Sequence, residues 1–306
     1  MTSIPAGIVP KGRAGTNQFL RRRGPAGAGR LAYNGRILPP TPPHAMIRTQ
    51  LQVFDDILSL SRAAAEYVAS LTREPSPDDR PFSLAVSGGG TPQRLFRLLG
   101  QPPYSLIIPW NRVHVFWCDE RCVSPDHAES NFHHAYGLWL QHVSIPTTHL
   151  HRIKGELSAT EAAADYAAQL AAFAHATLAG PDRLWPQIDL AVLGLGEDGH
   201  VASLFPGPIH AAEAAQPTLA VTAEYQGRPA DRVTLTPLVL NDTRNLLFLV
   251  SGAAKAEALA GTLKPQADPE RWPVARLRPE HSTVIWMVDR AAAGRLDEFP
   301  RARRQA

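Results

Sequence analysis

Short apolar runs recur along this chain, each ending in glycine or charge. Phe82 to Val86, Val113 to Cys118, Leu190 to Leu193, Asn245 to Val250 and Thr283 to Val288 are such runs. Their apolar residues do not alternate with polar ones, as expected of strands covered on both faces in a parallel sheet. The segments between them follow a different period. Phe54, Ile57, Leu58, Ala64, Ala65, Val68 and Leu71 recur at three- and four-residue spacing and predict a helix over 54–71. Pro92 and Gly100 suit the entry and exit of a second helix. Phe132, Tyr136 and Leu140 pattern a third, running to about His142. Ser158 and Glu161 form a capping box that opens a fourth, through about Leu178. A fifth runs from Ser251 to about Leu263, and a short helix and basic tail close the chain. Smaller strands are expected at 218–222 and 233–236. This alternation predicts one α/β domain over 46–300, built on a mainly parallel sheet flanked by helices.

Composition changes the picture at the N-terminus. Residues 1–45 are rich in Gly, Pro and Arg and poor in large apolar residues, so a disordered basic leader is expected. An Arg-rich, acid-free stretch resembles an organelle transit peptide; the alternative is a chain that starts at Met46, just before the first patterned segment. Residues 1–54 hold eight of the 31 Lys and Arg and none of the 28 Asp and Glu. That leaves 23 basic against 28 acidic residues, so the remainder is mildly acidic although the formal net charge is +3. Nucleic acid is therefore not an expected partner. No apolar run reaches the roughly 18 residues of a membrane span. Cys118 and Cys122 make no disulfide framework. The expectation is a reduced, cytoplasmic monomer that binds neither nucleic acid nor membrane.

The candidate chemistry lies where strands end. Phe82–Val86 runs into Ser87-Gly88-Gly89-Gly90-Thr91-Pro92: a strand, a glycine turn and a helix start. Free N–H groups and the positive end of the helix dipole then converge, which suits a phosphate, although a tight turn without ligand has the same sequence. Asp119-Glu120-Arg121 puts three charges at the end of an apolar strand; they are either solvated or used. Leu190–Leu193 opens into Gly194-Leu-Gly196-Glu-Asp198-Gly199-His200. A histidine in a glycine loop suits a general base near neutral pH, and Asp198 or Asp119 is a candidate to orient either the histidine or the water. Lys255, near a helix start, is unfavourable to the dipole unless an anion shares the site, and Arg232 directly precedes a strand. Gly194 to Gly199 also fits G-x-G-x-x-G, but Pro206 and Pro208 leave no room for the crossover helix, so no NAD or FAD is expected. The spacing of Cys118, Cys122, His127, His133 and His134 fits no common zinc pattern, so no metal is expected either.

Together, several motifs carry a resemblance. They are 87–92, Trp117 to Val123 with Ser130-Asn131, 194–207, Arg232-Val-Thr-Leu-Thr236, Gly252 to Ala256 and Val284 to Asp289. In this order they resemble the 6-phosphogluconolactonase branch of the glucosamine-6-phosphate isomerase/6-phosphogluconolactonase family, over roughly residues 54–295. The resemblance implies a Rossmann-like fold of the glucosamine-6-phosphate deaminase and ribose-5-phosphate isomerase type. It implies hydrolysis of 6-phosphoglucono-1,5-lactone, a sugar-phosphate lactone, in the oxidative pentose phosphate pathway, without cofactor. Under it, His200 activates water, Asp198 or Asp119 orients it, Arg121 or glycine N–H groups meet the oxyanion, and Ser87 to Thr91, Lys255 and Arg232 hold the phosphate. Gly90 and Val201 stand where the family more often has Ser and Thr. A deaminase would need a carboxylate after Gly-His-x-Ala, where this chain has Ser203-Leu-Phe-Pro-Gly207. A non-catalytic sugar-phosphate sensor would usually carry an additional module, which residues 1–45 do not resemble.

Overall fold

The computed structural model describes residues 48–74, 79–177 and 183–298, together with a short antiparallel pair, Ala32–Tyr33 against Arg36–Ile37. The chain divides into two compact units, 1–40 and 41–306. Most of the expected leader lies outside the described residues.

The larger unit is built on a seven-stranded parallel sheet. Its strands are β1 (Arg48–Phe54), β2 (Phe82–Val86), β3 (Val113–Trp117), β5 (Leu150–His151), β6 (Leu190–Leu193), β9 (Asn245–Val250) and β10 (Thr283–Asp289). The order across the sheet is β1-β10-β9-β6-β2-β3-β5. A second, antiparallel sheet has the order β4-β8-β7, from β4 (Asp119–Arg121), β7 (Thr218–Thr222) and β8 (Asp231–Leu235). The five apolar runs are all strands of the parallel sheet. β6 is buried at every position and pairs with β9 and β2, so its carboxyl end opens at the sheet's centre. That is where ligands bind in open parallel sheets.

Three strands, β1, β4 and β5, go beyond the expected ones. β1 pairs with β10 at the sheet edge, and the predicted helix from residue 54 starts later, as α1 (Ile57–Arg73). Asp56 sets that start: its carboxylate accepts from Leu58 N at 2.9 Å and Ser59 N at 2.8 Å, while Ser59 Oγ accepts from Asp56 N. α2 (Gly90–Leu99) begins in the glycine turn. α3 (Asn131–Leu138) stops short of the expected His142, at Trp139, whose φ and ψ are non-helical. α4 (Ala159–Thr177) carries the expected capping box of Ser158 and Glu161. Helix α5 (Ala256–Thr262) follows one 3-10 turn, Ala253–Lys255, so Lys255 sits just ahead of it.

The two sheets meet at Cys118. Its N–H donates to Val86 O in the large sheet at 2.9 Å, and its carbonyl accepts from Leu235 N in the small one at 2.7 Å. Just before it, the buried Tyr166 of α4 donates to Trp117 O at 2.8 Å and accepts from Trp117 N at 2.9 Å. β3 therefore ends in a fixed position, and the chain turns into β4 beside the carboxyl ends of the other strands.

At the far edge, the ring of His114 stacks on His149 at 3.8 Å, and its Nδ1 lies 2.9 Å from His151 Nε2. His151 stacks on Phe116, and Phe173 packs against both histidines. Burial pushes His114 down to about 4 and His151 down to about 4, from an ordinary 6.5. The folded chain thus keeps them neutral while the unfolded chain protonates them. Their contribution is complete above about pH 6.5 and is lost as pH falls towards about 4. In His114→Phe/His151→Phe, urea unfolding across that window should show a shallower loss of stability than in the parent. An unchanged slope would contradict the neutral pair.

Candidate active site

Loops at the carboxyl ends of β2, β3, β6 and β9 enclose one cleft, whose far wall comes from the small sheet. In the first loop, Ser87 N donates to Val192 O at 3.0 Å. Gly89 adopts φ +104° as the residue before α2, and no side chain caps that helix. The helix N–H groups are left facing the cleft. Gly88 leaves no room for a Cβ, which would collide with the Asn131 amide, whereas a Cβ at Gly90 meets nothing within 4 Å. The Ser expected at Gly90 from the resemblance would therefore fit. Ser87 Oγ is buried without a hydrogen-bond partner.

The wall at β4 rests on Glu120, which the sequence reading left without a role. Its buried carboxylate accepts from Arg121 N at 2.8 Å, Asn131 N at 2.7 Å, Phe132 N at 2.8 Å and Ser130 Oγ at 3.0 Å. Burial pushes its carboxyl up, and these bonds pull it back. It ties β4 to the start of α3, and Asn131 follows, donating to Asp119 O at 2.9 Å. Asp119 lines the cleft, and its Oδ2 accepts from the buried Ser203 Oγ at 2.9 Å.

His200 is oriented by Asp198. Asp198 Oδ1 lies 2.6 Å from His200 Nδ1 and accepts from His200 N at 3.1 Å. Burial works to raise the Asp198 carboxyl, but the hydrogen bond and charge of His200 outweigh it and hold it low. Nδ1 committed to the carboxylate leaves Nε2 as the basic nitrogen. The loop that presents the pair closes on itself through Gly196 N to His200 O at 2.8 Å. A Cβ on Gly196 would collide with both His200 and Asp198. Gly199 adopts φ +88°, and Ala202 is a non-glycine residue at φ +49°. The imidazole packs between Phe205, stacked at 4.7 Å, and Tyr225, edge-on at 4.7 Å.

Four cations line the same cleft: Arg121, Arg228, Arg232 and Lys255. Arg121 and Arg232 stand directly opposite each other on β4 and β8, and both are buried. Like charges opposed across a ladder destabilise it. Arg121 is partly answered by the Glu129 carbonyl and by Glu129 Oε2 at 3.3 Å, but its Nε has no partner among the described residues. Arg232 Nε and Nη2 have none either, and the guanidinium lies 5.2 Å over Phe205. Burial, then Arg121, pushes Arg232 below its ordinary value. Lys255 is also pushed down by burial, and Glu197, 3.8 Å away, pulls it back. Unpartnered buried guanidinium groups are costly unless an anion completes them.

Every sequence-derived candidate reaches this cleft. Ser87 to Thr91, Asp119, Arg121, His200, Arg232 and Lys255 line it, and Asp198 is bonded to His200. Tyr225, Gln226 and Arg228 were missed, as was Glu129. The signal for the first three was Gln226-Gly227 between two short strands, which marks a hairpin tip. Among the described residues no group of three or more His, Cys, Asp or Glu is placed to hold a metal.

The family model for glucosamine-6-phosphate isomerases/6-phosphogluconolactonase matches residues 55–286. The chain belongs to that family. A 6-phosphogluconolactonase of Synechocystis sp. is 38% identical over 215 residues, 70% of this chain and 84% of its own. A probable 6-phosphogluconolactonase of Arabidopsis thaliana is 30% identical over 257 residues, 82% of this chain and 95% of its own. The solved 6-phosphogluconolactonase of Trypanosoma brucei superposes with a TM-score of 0.71 at 26% identity, over 82% of this chain and 99% of that one. A monomeric glucosamine-6-phosphate deaminase shares the fold, with a TM-score of 0.68 at 22% identity, over 80% of this chain and 99% of that one. The chain is accordingly an enzyme on the fold that lactonases and deaminases share.

The glycine geometry carries a prediction. Gly88→Ala should destabilise the chain by about 1–3 kcal/mol, because Asn131 must move from Asp119. Gly90→Ser should stay within about 0.5 kcal/mol of the parent, having open space. Thermal unfolding of both variants checks this, and equal losses would contradict it.

Proposed function

We propose that this enzyme hydrolyses 6-phospho-D-glucono-1,5-lactone to 6-phospho-D-gluconate, using a water activated by His200. One observation carries the reading: an oriented His200–Asp198 pair shares its cleft with two opposed, buried arginines, each with a guanidinium nitrogen that has no partner among the described residues. That combination suits attack by water on an anionic substrate.

In the proposed sequence, the substrate phosphate is held by the 87–91 loop with Lys255 and Arg232. His200 Nε2 removes a proton from water as the water oxygen bonds to the lactone carbonyl carbon. The carbonyl electron pair moves onto oxygen, and Arg121 or glycine N–H groups stabilise that oxyanion. The oxyanion then collapses, the bond to the ring oxygen breaks, and the ring oxygen takes the proton back from His200. The new acid loses its proton to solvent. Asp198 remains ionised throughout and stabilises the imidazolium. No covalent enzyme intermediate is needed: Ser203, three residues after His200, donates its hydroxyl to Asp119. We also place the enzyme in the cytoplasm; its two cysteines, both unbridged, support a reducing compartment.

His200→Asn should lower kcat by about 10²–10⁴-fold with KM little changed, the usual worth of a positioned acid–base group. Asp198→Asn should lower kcat as well. Lys255→Ala should act mainly on KM. Steady-state kinetics on freshly generated lactone reads all three, and wild-type kcat in His200→Asn would remove it as the base.

A further inference from the structure

The hairpin joining β7 to β8 turns at Gln226 and Gly227, with φ of +52° and +67°, and Tyr225 bridges to Arg228 across the turn. Both flanking side chains reach the cleft. Tyr225 packs edge-on against His200. Arg228 stands among the other cations: after burial, its charge is among the influences that push down both Lys255 and Arg232. A fourth cation adds repulsion to a site already short of negative charge. It pairs with Glu129, whose Oε2 lies 3.8 Å from Arg228 Nη1 and 3.3 Å from Arg121 Nη1. One carboxylate oxygen is thus shared between two guanidinium groups, one from β4 and one from the hairpin.

We propose that Arg228 is a specificity residue for the substrate's phosphate, and that Glu129 holds the place of that phosphate until substrate binds. This rests on the lactonase reading for the substrate's identity, but not for its charge. The 3.8 Å pair is too long for a good hydrogen bond and is partly solvated, so it is weak. A phosphate dianion offers more charge and three acceptor oxygens, and it competes well for a guanidinium in that state. The hairpin tip then discriminates between phosphorylated and unphosphorylated lactones, while Glu129 limits the repulsion among Arg121, Arg228 and Arg232 in the empty cleft. Glu129 also acts as a competitor, so removing its charge should strengthen anion binding.

The test uses the full chain and two readouts. Calorimetry with inorganic phosphate needs no turnover, so it stands even if the lactone is not hydrolysed. Kinetics with phosphorylated and unphosphorylated gluconolactone adds the substrate. Arg228→Gln should weaken phosphate binding and raise KM for the phosphorylated lactone by about tenfold, the worth of one charge-assisted hydrogen bond, with kcat within about twofold. KM for the unphosphorylated lactone should not move, and Arg228→Lys should restore part of the loss. Glu129→Gln should tighten phosphate binding in the parent but not in Arg228→Gln. Unchanged phosphate affinity in Arg228→Gln, or equal shifts for both lactones, would overturn the specificity role. Weaker phosphate binding in Glu129→Gln, or tightening that survives in the double variant, would overturn the place-holding role.

Discussion

Two arginines that face each other across a buried ladder set the terms for the rest of the site. Arg121 and Arg232 are opposed in register on β4 and β8, with guanidinium nitrogens that have no partner. Such an arrangement opposes folding unless the surrounding structure holds both strands in place. The fixing groups are visible. Glu120 binds β4 to the start of α3 through three hydrogen bonds, and Cys118 joins β4's entry to both sheets. Tyr166 pins the strand before it. The fold thus supplies the stability that the charged pair removes, and it leaves at the cleft a positive field suited to an anionic ligand.

Beside that field stands the His200 imidazole, held in one orientation by Asp198. The His200 loop is narrow because Gly196 has no side chain, and the Asp198 carboxylate occupies the space a Cβ would need. Phe205 and Tyr225 fix the ring from two sides. Positive φ at Gly199 and at Ala202 shows that the backbone bends to present the histidine. Strain of this kind is tolerated where the neighbours over-determine the conformation. The same loop places Ser203 against Asp119, so the β6 and β3 ends of the cleft are joined by a buried hydrogen bond.

The sequence disclosed features that depend on local chemistry. Glycine turns after apolar runs, a capping box and a histidine among glycines are each written within a few residues, and they led to the right strand ends. The parallel sheet followed from five unalternating runs. Contacts set by distant pairing were not legible. Glu120 reads as a charge at a strand end until α3 is brought over it, and the Arg121–Arg232 opposition exists only once two strands are in register. Arg228 and Tyr225 were hidden in the same way, since a hairpin tip does not reveal which cleft it overhangs. The edge strand β1 was missed because Arg48, Gln50 and Gln52 break its apolar run, and an edge position needs only one covered face.

We propose that this cleft pairs an activated water with an anion site for one substrate, a phosphorylated sugar lactone. Wild-type turnover of freshly generated 6-phosphogluconolactone, followed against the spontaneous rate with glucosamine-6-phosphate run alongside, tests it most directly. Hydrolysis far above the spontaneous rate, with no release of ammonia from the amino sugar, is the expected result. Lactone loss at only the spontaneous rate, with ammonia released instead, would contradict it.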